Sequence, residues 1–284
     1  MIPIEHEAYY AELTIRNRGL ISEAEQAVLR RTRFVIAGCG STGGATIMPL
    51  TRSGAERFLL LDPGQYDLNN LNRQEAALGD VGRNKAEAAR ARIVAVNPFA
   101  AVEVDQRGVQ PLTIAASLQA GDLVIDAVDV TTQAGADAKL ALHRAACEKQ
   151  LPTLTAYDIA ATQYLELFDY RTERRPLSGR VTGTESPDRL LRALIPPLAV
   201  PREIFAELLA RRRDPARAFP QLAMTSTLLG ALIVPYLLRL LTGQPVRRRM
   251  RVDLYDLVRP APQRAGARAR QVGGLASLWW RLRG

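Results

Sequence analysis

Apolar residues in the first half of the chain form short runs separated by longer amphipathic stretches. The runs predict buried strands at 33–37, 58–61, 101–104 and 123–126, with a further strand near 152–156. The stretches between them predict helices at 43–53, 82–96 and 133–149. Strands that alternate with helices in this way build a parallel sheet with helices on both faces.

The pattern changes after about residue 160. The sequence predicts a strand at 163–168, a mobile loop at 171–190, helices at 201–213 and 220–242, and a late strand at 250–258. At the other end, Ser22-Glu-Ala-Glu25 is a capping box, which predicts a short helix up to about Arg31. We therefore divide the chain into an N-terminal helical arm (1–32), a main domain (33–258) with halves 33–158 and 159–258, and a basic, flexible tail (259–284).

The segment 223–241 is apolar enough to raise the question of a membrane span. It contains Thr225, Ser226, Thr227, Pro235 and Arg239, and arginines border it. A buried or interfacial helix explains this composition better than a lipid-facing one. We expect no membrane association.

Charge and cysteine content restrict the function further. The net charge is +9, but much of the excess is arginine after residue 170, with almost no interleaved aromatic residues to stack on bases. We expect no nucleic acid partner, and a solvated basic face or an acidic protein partner remains open. Two cysteines and two histidines are poor material for a zinc site or a disulfide scaffold. With an N-terminus unlike a signal peptide, they indicate a cytoplasmic protein without zinc.

A glycine-rich turn follows the first predicted strand. Gly38, Gly40 and Gly43 lie between a strand and a helix, where backbone N–H groups at the start of the helix can bind phosphate. Asp62 ends the second predicted strand, where a carboxylate can accept hydrogen bonds from ribose hydroxyls. These residues predict a nucleotide site, which a dehydrogenase would share.

A polar segment past the second strand favours a triphosphate. Asn70, Arg73 and Gln74 are too polar for a core, and a guanidinium neutralises and orients phosphates well. Lys85, near the start of the next helix, adds a point charge where a β- or γ-phosphate could lie. We predict that these residues bind ATP; an ordinary polar loop with a solvent-facing lysine is the alternative.

Two acids lie at the end of the fourth predicted strand. Asp126 belongs to the strand, and Asp129 lies just beyond the carboxyl edge, where open α/β sheets bind ligands. One carboxylate there can hold the Mg²⁺ that bridges the phosphates, and Asp129 is the better candidate.

The chain resembles the ThiF/MoeB/HesA family, prokaryotic relatives of ubiquitin-activating E1 enzymes. The matching residues are Gly38-Cys-Gly-Ser-Thr-Gly43, Leu61-Asp62, Asn70-Leu-Asn-Arg-Gln74, Gly82-x-x-Lys85, Asn97-Pro98 and Val124-Ile-Asp-Ala-Val-Asp129. The resemblance implies a Rossmann-like, doubly wound, mostly parallel sheet with a C-terminal antiparallel extension. It also implies an adenylyltransferase that uses ATP and Mg²⁺ to activate a carboxylate, usually the C-terminal glycine of a ubiquitin-like sulfur carrier.

The resemblance also implies a residue that acts between subunits. An arginine near the family's N-terminus usually reaches the phosphates of the partner subunit, and Arg16 or Arg18 could fill that place. We therefore expect a homodimer in which one of these arginines, with Arg18 taken as the catalytic candidate, acts in trans.

Several positions depart from the family pattern. Gly64 stands where a second acid is common, Val130 where an Asn often follows the magnesium acid, and the 157–190 region has no cysteine. We therefore expect no catalytic cysteine. Three functions remain open: activation of a ubiquitin-like or sulfur-carrier protein, modification of a small peptide or metabolite by the same chemistry, and a non-catalytic nucleotide-binding scaffold.

Overall fold

The computed structural model describes residues 5–181, 183, 185–214 and 217–283, with side chains as far as residue 275. The strands are β1 Arg33–Ala37, β2 Arg57–Leu61, β3 Ala101–Asp105, β4 Leu123–Asp126, β5 Pro152–Ile159, β6 Thr162–Asp169 and β7 Arg249–Asp253. The helices are α1 His6–Leu13, α2 Glu23–Arg31, α3 Ser41–Arg52, α4 Lys85–Val96, α5 Ile114–Ser117, α6 Gln133–Glu148, α7 Pro187–Leu194, α8 Phe205–Arg213, α9 Ala223–Leu241, α10 Leu254–Val258 and α11 Ala261–Arg283.

All seven strands form one sheet in the order β3-β2-β1-β4-β5-β6-β7. Strands β1 to β5 run parallel, and β6 and β7 add an antiparallel extension. The strand order reverses between β1 and β4, and this topological switch point is where such sheets bind ligands. The predicted fold class is confirmed.

Alternate residues of β1 face two separate apolar clusters. Phe34 and Ile36 pack in a cluster that includes residues of α3, α4 and α9. Val35 and Ala37 pack in a second cluster with residues of α6 and α7. A strand that is buried on both faces has a continuous run of apolar residues. This is why β1 was predicted from such a run and not from alternating apolar and polar residues.

The segment 171–190 was predicted as a mobile loop, but part of its described length forms regular structure. It contains a 3₁₀ turn at Pro176–Gly179 and the start of α7. Leu177 and Leu190 are fully buried in the second apolar cluster. The loop prediction followed the abundant polar and turn-forming residues, and the few leucines that anchor the segment were too widely spaced to show a period.

Helix α9 is the apolar segment that raised the membrane question. It alone among the described helices is long and apolar enough to cross a bilayer, and 56% of its most apolar window is buried within the protein. Its Gly230 lies against the backbone of Ala45 in α3, so the two helices approach closely. The helix is a core element on one side, and small residues remain exposed on the other.

The C-terminal segment forms a helix where the sequence predicted a flexible tail. Residues 261–283 fold as α11, whose Gln271 donates hydrogen bonds to the carbonyl oxygens of Leu198 (3.1 Å) and Val200 (2.8 Å). Alanine, arginine and leucine are strong helix formers, and they outweigh the scattered glycines that suggested disorder. Trp279 and Trp280 lie beyond the described side chains.

The N-terminal arm is held on the main domain by polar contacts as well as by the buried Leu29. The capping box is confirmed at the start of α2. Tyr9 donates to the carbonyl of Val96 (2.6 Å), Tyr10 donates to that of Gly54 (2.9 Å), and Arg30 pairs with Glu56 (2.7 Å). These contacts explain how a segment of low apolar content is held in place.

Candidate nucleotide site

The glycine-rich turn predicted to bind phosphate, residues 38–43 (the phosphate-binding turn below), connects β1 to α3 at the switch point. Gly38 has φ of +93°, and a Cβ there would overlap the carbonyl of Ala127, just after β4. A Cβ on Gly43 would overlap the carbonyl of Gly38. Gly40 precedes the first residue of α3, and the first N–H groups of a helix have no partners within it. Two of the three glycines are therefore required by packing, and the turn leaves the helix N-terminus available for an anion.

Asp62 lies at the end of β2 and is tied to this turn. Its two carboxylate oxygens accept hydrogen bonds from the backbone N–H groups of Cys39 (2.6 Å) and Gly64 (2.7 Å). Burial raises the pKa of Asp62, the two N–H groups and Lys85 oppose that rise, and Asp129 adds to it. Asp62 and Lys85 both border Gly64, and Asp129 follows two residues after Ala127, whose carbonyl lies against Gly38 of the turn. The three residues therefore come to the same edge of the sheet from three separate segments.

Lys85 is the first residue of α4 and is half-buried. Its Nζ lies 5.8 Å from the centre of the Tyr66 ring and close to Gly64. A Cβ on Gly64 would lie only 3.1 Å from an Asp62 oxygen, so an acidic side chain at this position would crowd a carboxylate that is already buried. Without a side chain at Gly64, the ammonium group of Lys85 lies on this side of Asp62, 3.6 Å from where that Cβ would be.

The Asn70–Gln74 segment folds around Asn70. This residue is buried, its side-chain oxygen accepts from Asp67 N–H (3.1 Å), and its carbonyl accepts from the N–H groups of Arg73 and Gln74. Asn70 therefore shapes the segment that presents the side chains of Arg73 and Gln74.

Arg73 is held by the segment that enters α9. Its Nε donates to the Gln221 side chain (2.6 Å), and its Nη1 donates to Asn72 (2.7 Å) and to the carbonyl of Asn69 (2.9 Å). Ser226 of α9 also donates to the Arg73 carbonyl (2.9 Å). Burial lowers the pKa of Arg73, and Asp158 opposes this change. Gln221 is a positioning residue for Arg73 that the sequence gave no reason to select.

The two acids after β4 have different surroundings. Asp126 is fully buried and accepts hydrogen bonds from Lys139 and from Thr155 (2.8 Å), and it lies 2.9 Å from His143 Nε2. Burial favours its neutral form, yet Lys139 and His143 hold its pKa well below the usual range. Asp126 is therefore the acceptor of an internal ion network. Asp129 is exposed, and one of its oxygens accepts from Thr131 N–H (2.9 Å).

Asp129 suits a magnesium ligand better than Asp126 does. Among the residues that the structure describes, no group of three or more His, Cys, Asp or Glu side chains could hold a metal ion. A cation here would therefore need ligands from the phosphates as well as from Asp129, which is how Mg²⁺ is usually held beside a nucleotide.

Asp158 is a residue that the sequence analysis missed. Its Oδ2 accepts a hydrogen bond from Ser41 (2.8 Å), the first residue of α3. Like Asp62 and Asp126, it comes at the end of an apolar run. The run was predicted to end near residue 156, but β5 continues to Ile159, so Asp158 is part of the sheet rather than of a loop.

A comparison with known families identifies the family of this chain. Residues 14–271 match the ThiF family. The chain belongs to the ThiF family. The match covers most of the sequence, so both halves of the domain are part of the family unit.

Relatives among curated proteins cover parts of this ThiF chain. The uncharacterised Mycobacterium tuberculosis protein MT1398 is 33% identical over 176 residues, which is 62% of this chain and 24% of that protein. The probable adenylyltransferase/sulfurtransferase MoeZ of the same species is 32% identical over 105 residues, 37% of this chain and 27% of MoeZ. The chain thus spans about a quarter of the length of these relatives.

Solved structures share the fold at low identity. The Escherichia coli tRNA N6-threonylcarbamoyladenosine dehydratase TcdA, in complex with ATP, has a TM-score of 0.58 and 20% identity, over 86% of this chain and 97% of TcdA. Escherichia coli MccB has a TM-score of 0.59 and 15% identity, over 81% of this chain and 61% of MccB.

The remaining predicted residues of this ThiF chain lie away from the turn or inside the core. Arg16 and Arg18 are both exposed, and neither guanidinium has a hydrogen-bond or ion-pair partner among the described residues. Val130 is buried in the second apolar cluster, so it is a packing residue. Cys39 is fully buried, and burial raises its pKa well above the usual value.

Proposed function

We propose that this ThiF-family protein is an ATP-dependent adenylyltransferase that activates a carboxylate as an acyl-adenylate. One observation carries the proposal: Asp62, Lys85 and Asp129 converge from three segments beside the phosphate-binding turn, at the carboxyl edge of the sheet. This set comprises a buried acid for ribose, a lysine for phosphate and an exposed acid for Mg²⁺. A hydride-transfer enzyme would not need all three.

In the proposed reaction, a carboxylate oxygen of the substrate attacks the α-phosphorus of ATP. The new bond is acyl–O–P, and the bond between the α-phosphorus and the bridging oxygen breaks, so pyrophosphate leaves with the electron pair. No proton has to move in this step. The protein's contribution is therefore positioning and charge stabilisation.

Each candidate residue has a role that follows from its surroundings. The turn at Gly38, Gly40 and Gly43 receives phosphate oxygens on the free N–H groups of α3, and Asp62 accepts from the ribose. Arg73 and Lys85 neutralise charge on the β- and γ-phosphates, with Asn70 and Gln74 supporting that segment. Asp129 holds Mg²⁺, which would offset the charge of the departing pyrophosphate.

The proposed substrate is the carboxylate of a ubiquitin-like or sulfur-carrier protein, or of a peptide or small metabolite. The first class is supported by the similarity to MoeZ, named as a probable adenylyltransferase/sulfurtransferase. A peptide is supported by the shared fold with MccB, which has been solved with the peptide MccA. We propose a cytoplasmic location for this reaction.

We also propose that the protein acts as a homodimer with composite sites. Arg16 and Arg18 are exposed and unpaired among the described residues, and they lie on either side of Asn17. This asparagine lines a groove of about 550 Å³ between the arm, α3 and α9. A second copy covering this face would bury the exposed small residues of α9 and could carry an arginine to the partner's phosphates.

Exchange of labelled pyrophosphate into ATP tests the adenylation step. The purified protein, ATP and Mg²⁺ should exchange label only when a suitable carboxylate is added, from a panel of glycine-terminated peptides, free amino acids and proteins encoded nearby. The doubly substituted Cys39→Ser, Cys147→Ser protein should keep this exchange, because neither thiol is needed. An isolated thioester adduct would contradict the absence of a catalytic cysteine, and ATP binding without any exchange would favour a non-catalytic scaffold.

A further inference from the structure

Three side-chain oxygens beside the phosphate-binding turn have no donor. Asp158 Oδ1, Gln163 Oε1 and Gln74 Oε1 are all buried, and none has a hydrogen-bond partner among the residues that the structure describes. Asp158 is 7% exposed and Gln163 is 0% exposed, so solvent does not supply the missing donors. Buried polar atoms are nearly always paired in proteins, and unpaired ones at one place point to an absent ligand.

The fold brings these oxygens together from two directions. Asp158 and Gln163 face each other across the antiparallel pair β5–β6. The other Asp158 oxygen accepts from Ser41 in the turn (2.8 Å), and Gln74 Oε1 lies 3.6 Å from where a Cβ on Gly40 would be. Thr42 and Gln163 are near enough to lower the pKa of Asp158, which burial raises, but Asp158 Oδ1 makes no hydrogen bond of normal geometry to any described residue.

The triphosphate does not satisfy these atoms. Phosphate oxygens are acceptors, as is the carboxylate that would attack them. Arg73 lies close enough for its charge to act on Asp158, but its described hydrogen bonds go to Asn69, Asn72 and Gln221. ATP carries donors only at its ribose hydroxyls, which we assign to Asp62, and at its adenine amino group, which lies at the far end of the nucleotide from the phosphates. The acyl substrate is the remaining reactant, and an N–H group next to its carboxylate is the donor that we assign to the carboxylate oxygen beside the turn.

We propose that Asp158, supported by Gln163, is a specificity-determining residue that accepts a hydrogen bond from an N–H group on the carbon next to the reacting carboxylate. This inference rests on the proposed adenylation. The N–H group is either the ammonium of a free amino acid or the last amide of a peptide. A carboxylic acid without it leaves the buried acceptors unpaired and is rejected, as in other sites built around a buried polar group.

Non-hydrolysable acyl-sulfamate analogues of the adenylate separate these chemistries. The glycyl analogue carries an ammonium group, the N-acetylglycyl analogue carries an amide N–H, and the propionyl analogue has a methyl group instead. Binding is measured by calorimetry on the full chain, on Asp158→Asn and on Asp188→Asn, which makes the same carboxyl-to-amide change at an exposed position of α7. Melting temperatures are recorded for all three proteins.

The wild-type protein and Asp188→Asn should bind an N–H analogue at least about tenfold more tightly than the propionyl analogue. Asp158→Asn should remove that preference by weakening the N–H analogue alone. Preference for the glycyl analogue shows that the N–H group is the ammonium of a free amino acid. Preference for the N-acetylglycyl analogue shows that it is the last amide of a peptide.

Other outcomes overturn the inference in recognisable ways. Equal binding of all three analogues by the wild-type protein, or equal weakening of all three by Asp158→Asn, would refute the role of Asp158 while leaving adenylation intact. Weaker binding of Mg²⁺ and ATP alone by Asp158→Asn would make this residue a phosphate-site or metal residue instead. If no analogue binds to the wild-type protein, the proposed function itself fails.

Discussion

At the scale of single residues, the structure separates side chains that hold the fold from those that are free to act. Asn70 and Asp126 were selected as site candidates or neighbours, yet their described contacts are internal. Lys85 lies beside the buried Asp62, Asp129 is exposed, and both make few described side-chain contacts. The residues to test for catalysis are those at the carboxyl edge of the sheet whose substitution should change the stability of the fold little.

Lys85→Ala and Asp129→Asn should each lower the rate of adenylation by about 10²–10³, because a group that stabilises developing charge is worth that much. Asp129 is exposed, and Lys85 makes only a long contact with the Tyr66 ring, so the melting temperatures should stay within about 2 °C of wild type. Arg90→Ala on the exposed side of α4 is the matched control for Lys85→Ala. A large drop in melting temperature would show that the substituted side chain is structural.

Gln221→Ala should act through Arg73. Loss of the 2.6 Å hydrogen bond frees the guanidinium, so turnover should fall by about tenfold, less than for Arg73→Ala. Gln221→Glu, which keeps an acceptor, should recover most of the rate. If Gln221→Ala and wild type have the same rate and the same affinity for ATP, Gln221 has no positioning role.

At the scale of elements, the turn between β1 and α3 is the most constrained part of the chain. Gly43→Ala should destabilise the protein by about 1–3 kcal/mol, because the new Cβ would overlap the Gly38 carbonyl. Gly79→Ala, where a Cβ meets no atom within 4 Å, should be neutral and is the control. Chemical denaturation measures both, and equal stability of the two variants would show that the turn is looser than described.

The strands around this turn could be predicted from sequence because each is a short apolar run between turn residues. The end of β5 could not, since Tyr157 and Asp158 look polar while the sheet continues through them. Gln221 also gave no signal, because its role depends on a contact 148 residues away along the chain. Local patterns identify elements and their edges, and contacts between distant segments decide which polar residues complete the site.

At the scale of the whole molecule, the buried network around Asp126 makes stability depend on pH. Burial lowers the pKa of His143 in the folded protein, with Asp126 opposing and Lys139 and Arg180 assisting this shift. The unfolded chain takes up a proton near pH 6.5 while the folded protein does not, so the free energy of unfolding falls as pH is lowered below about 6.5.

The free energy of unfolding, measured by denaturation between pH 5 and 7, should therefore rise by up to about 1.4 kcal/mol per pH unit. His143→Gln should be less stable at pH 7 and should lose part of this slope. His6→Gln, the only other histidine substitution the chain allows, leaves the network unchanged and is the control. An unchanged slope in His143→Gln would show that His143 is not the group responsible.

The composite dimer is tested by complementation. An Arg16→Ala, Arg18→Ala protein and an Asp129→Asn protein should each be nearly inactive. Random pairing after subunit exchange gives half mixed dimers with one intact site in each, so activity should return to about a quarter of wild type. No recovery after verified exchange, or an active monomer, would contradict sites shared between subunits.

The central claim is that a carboxylate oxygen attacks the α-phosphorus of ATP, and oxygen transfer tests it most directly. Carboxylates from the panel are prepared with ¹⁸O and incubated with the protein, ATP and Mg²⁺, and the nucleotide products are analysed by mass spectrometry after the acyl group is released. Adenylation predicts AMP that carries one ¹⁸O atom, together with pyrophosphate. Formation of ADP, or of AMP without the label, would contradict the proposed reaction.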